Sequence, residues 1–301
     1  MVRTFPVARA LKARGFDVWY YTVPDYVETV EHCRDVDRIV EVPFSARRDR
    51  NASIDPDRWP YLRGDFDLTV DLFCPALQHE IETCGAVTRD RIELFCEAAD
   101  AKPTLPHFEV TAFEGAWAEG WFDAVGYAPS RTIAIQPFST TLLRDWRLAR
   151  WQDLITRLEG EGFNVYAIDG NVGRLDKLDC RRVEGLSVPK MAALLRRTAL
   201  LISVDSGLLH LASAVDVPVI GLFGCTDGRV ICRHYPKALP ICGHETSPSH
   251  CRPPCYNRPE RGFRFDCGVQ GCRVMERITV DQVIEAATAY FAVPLVTHSA
   301  D

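Results

Sequence analysis

The sequence predicts an α/β protein built from two parallel sheets, each covered by helices, with a cleft between them. Three observations carry that prediction. Strand-like and helix-like stretches alternate through the first hundred residues and again from residue 132 onward. Between the two series, residues 102–130 hold Pro103, Pro106, Gly115, Gly120, Gly126 and Pro129, a density of chain breakers that marks a join. The stretch from Leu201 to Gly224 reads as a buried strand, a sharp polar turn, a helix and a second buried strand ending in glycine. Strands that alternate with helices pair in parallel and are buried on both faces. The expected division is therefore residues 1–125 and 126–301. Ligands of such sheets bind beyond the carboxyl ends of the strands.

In order along the chain, Pro6–Gly15 reads as a helix stopped by glycine. Asp17–Thr22 reads as a strand, Tyr26–Cys33 as a short helix, and Arg38–Val42 as a strand. Residues 45–64 are polar and carry Arg47, Arg48, Arg50, Arg58 and Arg63. They are expected to form an exposed loop, a solvated basic face or else an acceptor site for an anionic glycan. Asp67–Phe73 reads as a strand with Asp71 near its end, and Leu94–Ala101 as a helix. A short helix around Trp117 is expected within the join. The second series begins with the strand Thr132–Gln136. In the helix that follows, Trp151, Leu154, Ile155 and Leu158 take the i, i+3, i+4, i+7 spacing of a packed face. Asn164–Ile168 is the next strand, and Ser187 stands where it can cap a helix running to Arg197. Thr279 and Gln282 have capping-box spacing before a final helix.

Composition narrows the functional classes. The chain has 301 residues, of which 47% are hydrophobic and 25% charged, as in a folded globular protein. The formal net charge of -6 argues against a general nucleic-acid binder. No apolar run approaches the roughly 20 residues of a membrane span, which leaves peripheral membrane association open. The first residues lack the charged-then-apolar pattern of a signal peptide, so a cytoplasmic location is expected.

The turn after Val204 holds the most chemistry. Asp205, Ser206 and Gly207 stand where a strand stops and a helix starts. Backbone N–H groups and the positive end of the helix dipole converge at such a corner and suit a phosphate. His210 lies one helical turn on and can face the same ligand. Asp-Ser-Gly alone is also an ordinary helix cap, and His210 alone an ordinary packed histidine. The continuation through Phe223-Gly-Cys-Thr-Asp227 favours the nucleotide site.

These residues carry a resemblance. Asp205-Ser-Gly-x-x-His210-Leu-Ala-x-Ala214 followed by Pro218-Val-Ile-Gly-Leu-Phe-Gly224-x-Thr226-Asp227 resembles glycosyltransferase family 9, which includes the ADP-heptose:lipopolysaccharide heptosyltransferases. Ile133–Ser139 with Arg144-Asp-Trp146 and Trp151-x-x-Leu154 is similar to that family's strand, loop and Lys-x-Trp segment, and Pro6–Lys12 to its first helix. The resemblance implies the GT-B fold, two Rossmann-like domains facing across a cleft, and inverting sugar transfer without a catalytic metal. It implies that the C-terminal domain binds a nucleotide sugar, ADP-heptose in the family. Asp205 would contact the donor's nucleoside or sugar, Ser206 and Gly207 its diphosphate, with His210 in support and Thr140 on the facing loop. Arg144 stands where the family has lysine and would stabilise the leaving diphosphate. The family's first strand and its Gly-Asp loop, which supplies the usual general base, have no counterpart in the sequence. Asp71 is the best remaining carboxylate in the N-terminal half.

Of twelve cysteines, seven are scattered and read as small buried thiols. Cys251-x3-Cys255 followed by Cys267-x4-Cys272, in a Gly- and Pro-rich loop over residues 242–272, has the pattern of a four-thiolate structural zinc or iron site. Cys242, His244 and His250 are substitutes for one ligand. The sequence thus reads as a cytoplasmic glycosyltransferase of lipopolysaccharide-biosynthesis type. It would move a sugar, heptose by resemblance, from a nucleotide donor to a hydroxyl of a glycan or protein acceptor. A sugar-nucleotide epimerase of the same fold and a non-catalytic nucleotide-sugar-binding module are the alternatives.

Overall fold

The computed structural model describes residues 1–42, 66–72, 76, 78–79, 82–83, 87–243 and 272–292. A single 3-10 turn, Val2–Thr4, leads into α1 (Phe5–Ala13), whose first turn holds Pro6, where a missing N–H costs nothing. Gly15, at φ 89°, turns the chain toward β1 (Trp19–Thr22). After α2 (Pro24–Glu31), β2 (Arg38–Glu41) pairs with β1 in parallel, Trp19 opposite Arg38. The helix α3 (Arg91–Ala98) starts at Asp90, whose carboxylate accepts from the N–H of Ile92 at 2.7 Å.

The strand expected at Asp67–Phe73 does not form over its described residues 67–72, so Asp71 does not end a strand. Val70 and Leu72 pack on the core while Leu68, which would share their face on an extended strand, is exposed, so the burial pattern of a half-buried strand is not kept. The segment is held by side chains: Phe66 sets its ring edge-on to Trp19 and Tyr21, at 5.4 and 6.1 Å. An apolar run shows that side chains seek burial, not that a neighbouring strand supplies ladder partners.

The second half holds one six-stranded parallel sheet. Its strands are β3 (Thr132–Gln136), β4 (Asn164–Asp169), β5 (Arg181–Glu184), β6 (Leu200–Val204), β7 (Val219–Phe223) and β8 (Ala238–Cys242), in spatial order β5-β4-β3-β6-β7-β8. This is the doubly wound order, and it reverses between β3 and β6. Every residue of β3, β6 and β7 is buried, which is why they read as unbroken apolar runs. Ile133, Ile135, Ile202 and Val204 face a core completed by α5 (Leu148–Gly160) and α8 (Val280–Ala292). Ala134, Tyr166 and Leu201 face the other core, together with α6 (Val188–Arg196) and α7 (Gly207–Ala214). That second core runs on without a break into Phe5, Val7, Ile92 and Phe95 of the first half.

Three elements exceed or escape the sequence reading. Ahead of the sheet, α4 (Ala112–Val125) is a full helix of 14 residues. Its start is a capping box between Thr111 and Glu114, its stop is Gly126 at φ 69°, and Trp121 packs on Tyr166 at 5.3 Å. Gly115 and Gly120, which look like breakers, lie inside it. The strands β5 and β8 are the sheet's edges. Two exposed arginines in β5 and Pro240 in β8 suit an edge and hide a strand from pattern reading. Ser187 occupies the N-cap position of α6 but its side chain makes no capping bond, whereas Thr279 and Gln282 form the expected reciprocal box at 2.9 and 3.2 Å.

Among the described residues no helix is long and apolar enough to cross a membrane. The arginine-rich stretch at residues 47–63 lies outside the described residues, as do Cys251, Cys255 and Cys267. Cys272 is buried, and among the described residues no group of three or more His, Cys, Asp or Glu could hold a metal ion.

Candidate functional site: the corner between β3 and β6

The sheet order places the carboxyl ends of β3 and β6 side by side at the switch point, Gln136 opposite Ser203. Two loops leave there. One runs from Pro137 to Trp146 and the other is the turn Asp205–Ser206 into α7. Their bases are tied by buried polar groups. Ser203 Oγ donates to Gln136 Oε1 at 3.0 Å and lies 3.3 Å from Ser206 Oγ, while Gln136 Nε2 donates to the Phe138 carbonyl. Within the first loop, the N–H of Ser139 donates to Asp145 Oδ1 at 2.7 Å. Burial pushes the Asp145 carboxyl above its ordinary range.

Arg144 joins the two loops. Its Nη2 donates to Thr140 Oγ1 and its Nη1 to the Asp205 carbonyl, both at 2.9 Å, and Nη1 also lies 3.6 Å from Asp205 Oδ2. Thr226, on the loop after β7, donates to Asp205 Oδ2 at 2.9 Å. Asp205 is only 5% exposed, so these partners stabilise a carboxylate that water reaches poorly. Gly207 and Thr140 are exposed, and nothing lies within 4 Å of where a Gly207 side chain would begin. The N-cap residue Ser206 makes no side-chain capping bond, so the first-turn N–H groups of α7 face the opening without one. A buried carboxylate, a guanidinium and an open helix N-terminus share one corner. The arrangement suits an anion with a polyhydroxyl neighbour.

The structure therefore brings Thr140, Arg144, Asp205, Ser206 and Gly207 together. His210 sits apart from the opening: it is 7% exposed, and its Nδ1 lies 2.8 Å from the hydroxyl of buried Tyr235. Burial, with the positive charges of Arg3, Arg91 and Arg144 around it, holds His210 well below the ordinary imidazole range. The ring is neutral and packs the underside of α7. Asp71 is half-buried on the irregular 66–72 segment. The tryptophans behave as core: Trp146 and Trp151 are buried edge-to-face at 5.3 Å.

Sequence reasoning assigned no role to Gln136, Ser203, Asp169 or Arg174, and took Thr226 only as part of the motif that follows β7. Each polar residue at the end of an apolar strand (Gln136, Ser203, Asp169) was itself a signal, because polar side chains on buried strands need a partner. Thr226 follows the glycine that closes β7, the same grammar at the next strand.

Comparison with known proteins shows the family. The profile of Glycosyltransferase family 9 (heptosyltransferase) matches residues 77–257. Lipopolysaccharide heptosyltransferase 3 of Escherichia coli (strain K12) is 30% identical over 117 residues, 35% of this chain and 34% of that protein. The matched stretch thus spans about a third of that relative. The glycosyl transferase family 9 structure from Veillonella parvula DSM 2008 superposes with a TM-score of 0.69 at 16% identity, covering 97% of this chain and 93% of that one. E. coli ADP-heptose lps heptosyltransferase II gives 0.66 at 15%, covering 97% and 95%. At such identities the structures speak for the fold, which is GT-B. The matched profile takes in Arg144, Asp205 and Thr226, the residues that build the corner, and the chain belongs to glycosyltransferase family 9.

Proposed function

We propose that this protein transfers a sugar, heptose in the reading the relatives favour, from an ADP-linked donor to an acceptor hydroxyl with inversion. One observation carries the proposal: Asp205, buried at the mouth of α7, is clasped by Arg144 from one loop and Thr226 from another. The donor's diphosphate lies against Thr140, Arg144 and the N–H groups at Ser206 and Gly207, and Asp205 receives hydroxyls of the sugar or nucleoside. The acceptor oxygen attacks the anomeric carbon from the side opposite the diphosphate. As the glycosidic bond breaks, negative charge builds on the leaving phosphate, where the Arg144 guanidinium and the helix dipole neutralise it. His210 and Tyr235 support the site from beneath by fixing α7. Asp71 is the proposed base for the acceptor proton. The acceptor, a glycan or a protein, is approached from the first half, and the work is cytoplasmic lipopolysaccharide-type assembly.

The test is calorimetry with ADP-heptose followed by transfer assays. Asp205→Ala should abolish donor binding and Asp71→Asn should spare binding while stopping transfer. Unchanged donor affinity in Asp205→Ala would sink the site. Donor turnover with no acceptor present would replace transfer by epimerisation, and binding without turnover would leave a binding module.

A further inference from the structure

A second arginine-aspartate pair stands on the far side of the same loop, next to β4, and the donor reading leaves it unused. Asp169 ends β4 and is 3% exposed. Its Oδ1 accepts from the backbone N–H of Asn171 at 2.8 Å and from the Asn171 side-chain amide at 3.1 Å. Its Oδ2 lies 3.3 Å from Nη1 of Arg174. Nη2 of Arg174 donates to the Ser139 carbonyl at 2.9 Å, and the guanidinium carbon stands 4.8 Å from the centre of the Phe138 ring. Two edges and one face of this guanidinium are thus committed. Even so, the Arg174 side chain keeps 34% of its surface exposed. Val172, two residues earlier on the same loop, is 79% exposed and offers apolar surface.

The remaining face decides the ligand chemistry. A guanidinium is flat, delocalised and weakly hydrated, so a planar ring stacks on it readily. Reaching out to a phosphate would instead pull Arg174 off Asp169 and leave a buried carboxylate without its cation, which is costly. Position agrees. β4 is two strands from β6, roughly 10 Å at ordinary strand spacing. A ribose separates a base from its diphosphate by a comparable span. We propose that the donor's nucleobase stacks on the open face of Arg174, completing a Phe138–guanidinium–base sandwich. The diphosphate lies at Thr140, Arg144 and Gly207. This rests on the donor reading above and adds to it how the nucleoside is gripped.

Calorimetry of the full chain with two probes, ADP and inorganic pyrophosphate, separates the two ideas. Arg174→Ala and Arg174→Lys should both weaken ADP by about tenfold or more, the size of a lost base stack. Both should leave pyrophosphate within about twofold of the unaltered protein. Arg144→Ala should weaken both probes. ADP affinity fully retained in Arg174→Lys would overturn the sandwich, since charge rather than a flat face would then suffice. Equal loss of ADP and pyrophosphate in Arg174→Ala would overturn it as well, by placing Arg174 on the phosphates. If Arg144→Ala changes neither probe, the diphosphate site itself is misplaced and the sandwich falls with it.

Discussion

Replacing Arg144 tests the corner most directly, because one side chain spans two loops. Its fork reaches Thr140 Oγ1 with one nitrogen and the Asp205 carbonyl with the other, each at 2.9 Å. The side chain is 14% exposed, so water replaces those bonds only in part. A lysine keeps the charge but presents a single nitrogen on a flexible stem, which cannot hold both points at once. Arg144→Lys should therefore lose one charge-assisted bond, about 1.5–3 kcal/mol before partial rehydration. Arg144→Ala should lose both bonds and leave Asp205 with one cation fewer, costing at most about twice as much. Urea melts read the stability change from the midpoint at constant slope. Thr140→Val combined with Arg144→Lys closes a double-mutant cycle, whose coupling energy should be nonzero because the two residues touch. Donor affinity should fall with stability for the alanine, since the same guanidinium faces the diphosphate. If Arg144→Ala moves stability by less than about 0.5 kcal/mol, the typical scatter of surface substitutions, the two-loop clasp does not hold the corner.

Four further outcomes are expected, three of them from single positions. Gly207→Ala meets open space, so the fold should keep its stability or gain up to ~1 kcal/mol, while donor affinity drops because the new methyl stands where phosphate would lie. Gly243→Ala should destabilise strongly in a thermal melt, since its Cβ would stand 2.1 Å from the Val274 carbonyl, and a melt unchanged from the parent would contradict that packing. His210 is neutral when folded and its pKa is lowered, so the unfolded chain binds one proton more as pH drops below the ordinary histidine value. Stability should then fall from about pH 6.5 downward by up to ~1.4 kcal/mol per pH unit, and His210→Gln should flatten that slope in denaturation series at several pH values. Elemental analysis of purified protein should find one zinc or iron per chain if Cys251, Cys255, Cys267 and Cys272 form the expected thiolate site, and none if they do not.

What the sequence makes legible is set by burial. The strands β3, β6 and β7 are covered on both faces, so their apolar runs show plainly and the polar turn between β6 and α7 stands out against them. The edges β5 and β8 carry exposed arginines and a proline, residues that look like loop until a neighbouring ladder is known. Asp205, Ser206 and Gly207 are readable because their spacing in sequence reflects a local turn, whereas Thr140 and Arg144 are singled out only by the family resemblance. The clasp by Thr226 and the reach of Arg174 to the Ser139 carbonyl depend on which strands sit side by side, and strand order is invisible to a local pattern. His210 shows the converse. Its helical spacing from Gly207 suggested the ligand's face, yet the angle around the helix turns it to Tyr235 and the core.

The two halves of the chain are joined tightly enough that they should unfold together. One apolar core runs from Phe5 and Phe95 to Leu209 and Tyr235. Arg3 and Asp90, 3.9 Å apart, place a buried ion pair beside it. At its rim Glu93 of α3 meets Arg233 at 3.0 Å and His234 at 3.2 Å, residues of the second half. Burial opposes ionisation of Glu93, but its hydrogen bonds to those two residues outweigh it and hold its pKa below the ordinary value. A depressed carboxylate pKa contributes stability that is present at neutral pH and is lost as pH falls through the folded value, below the usual 4.5. Arg233 is about half exposed, so Glu93→Gln should cost no more than about 1 kcal/mol at pH 7. The cost should shrink toward zero in acid. Calorimetric unfolding should show one transition, shifted as a whole by Glu93→Gln, because a contact shared by both halves cannot be lost by one alone. Two resolved transitions, only one of them moved by the substitution, would mean that the halves melt independently and that the shared core contributes little to holding α7 and its corner in place.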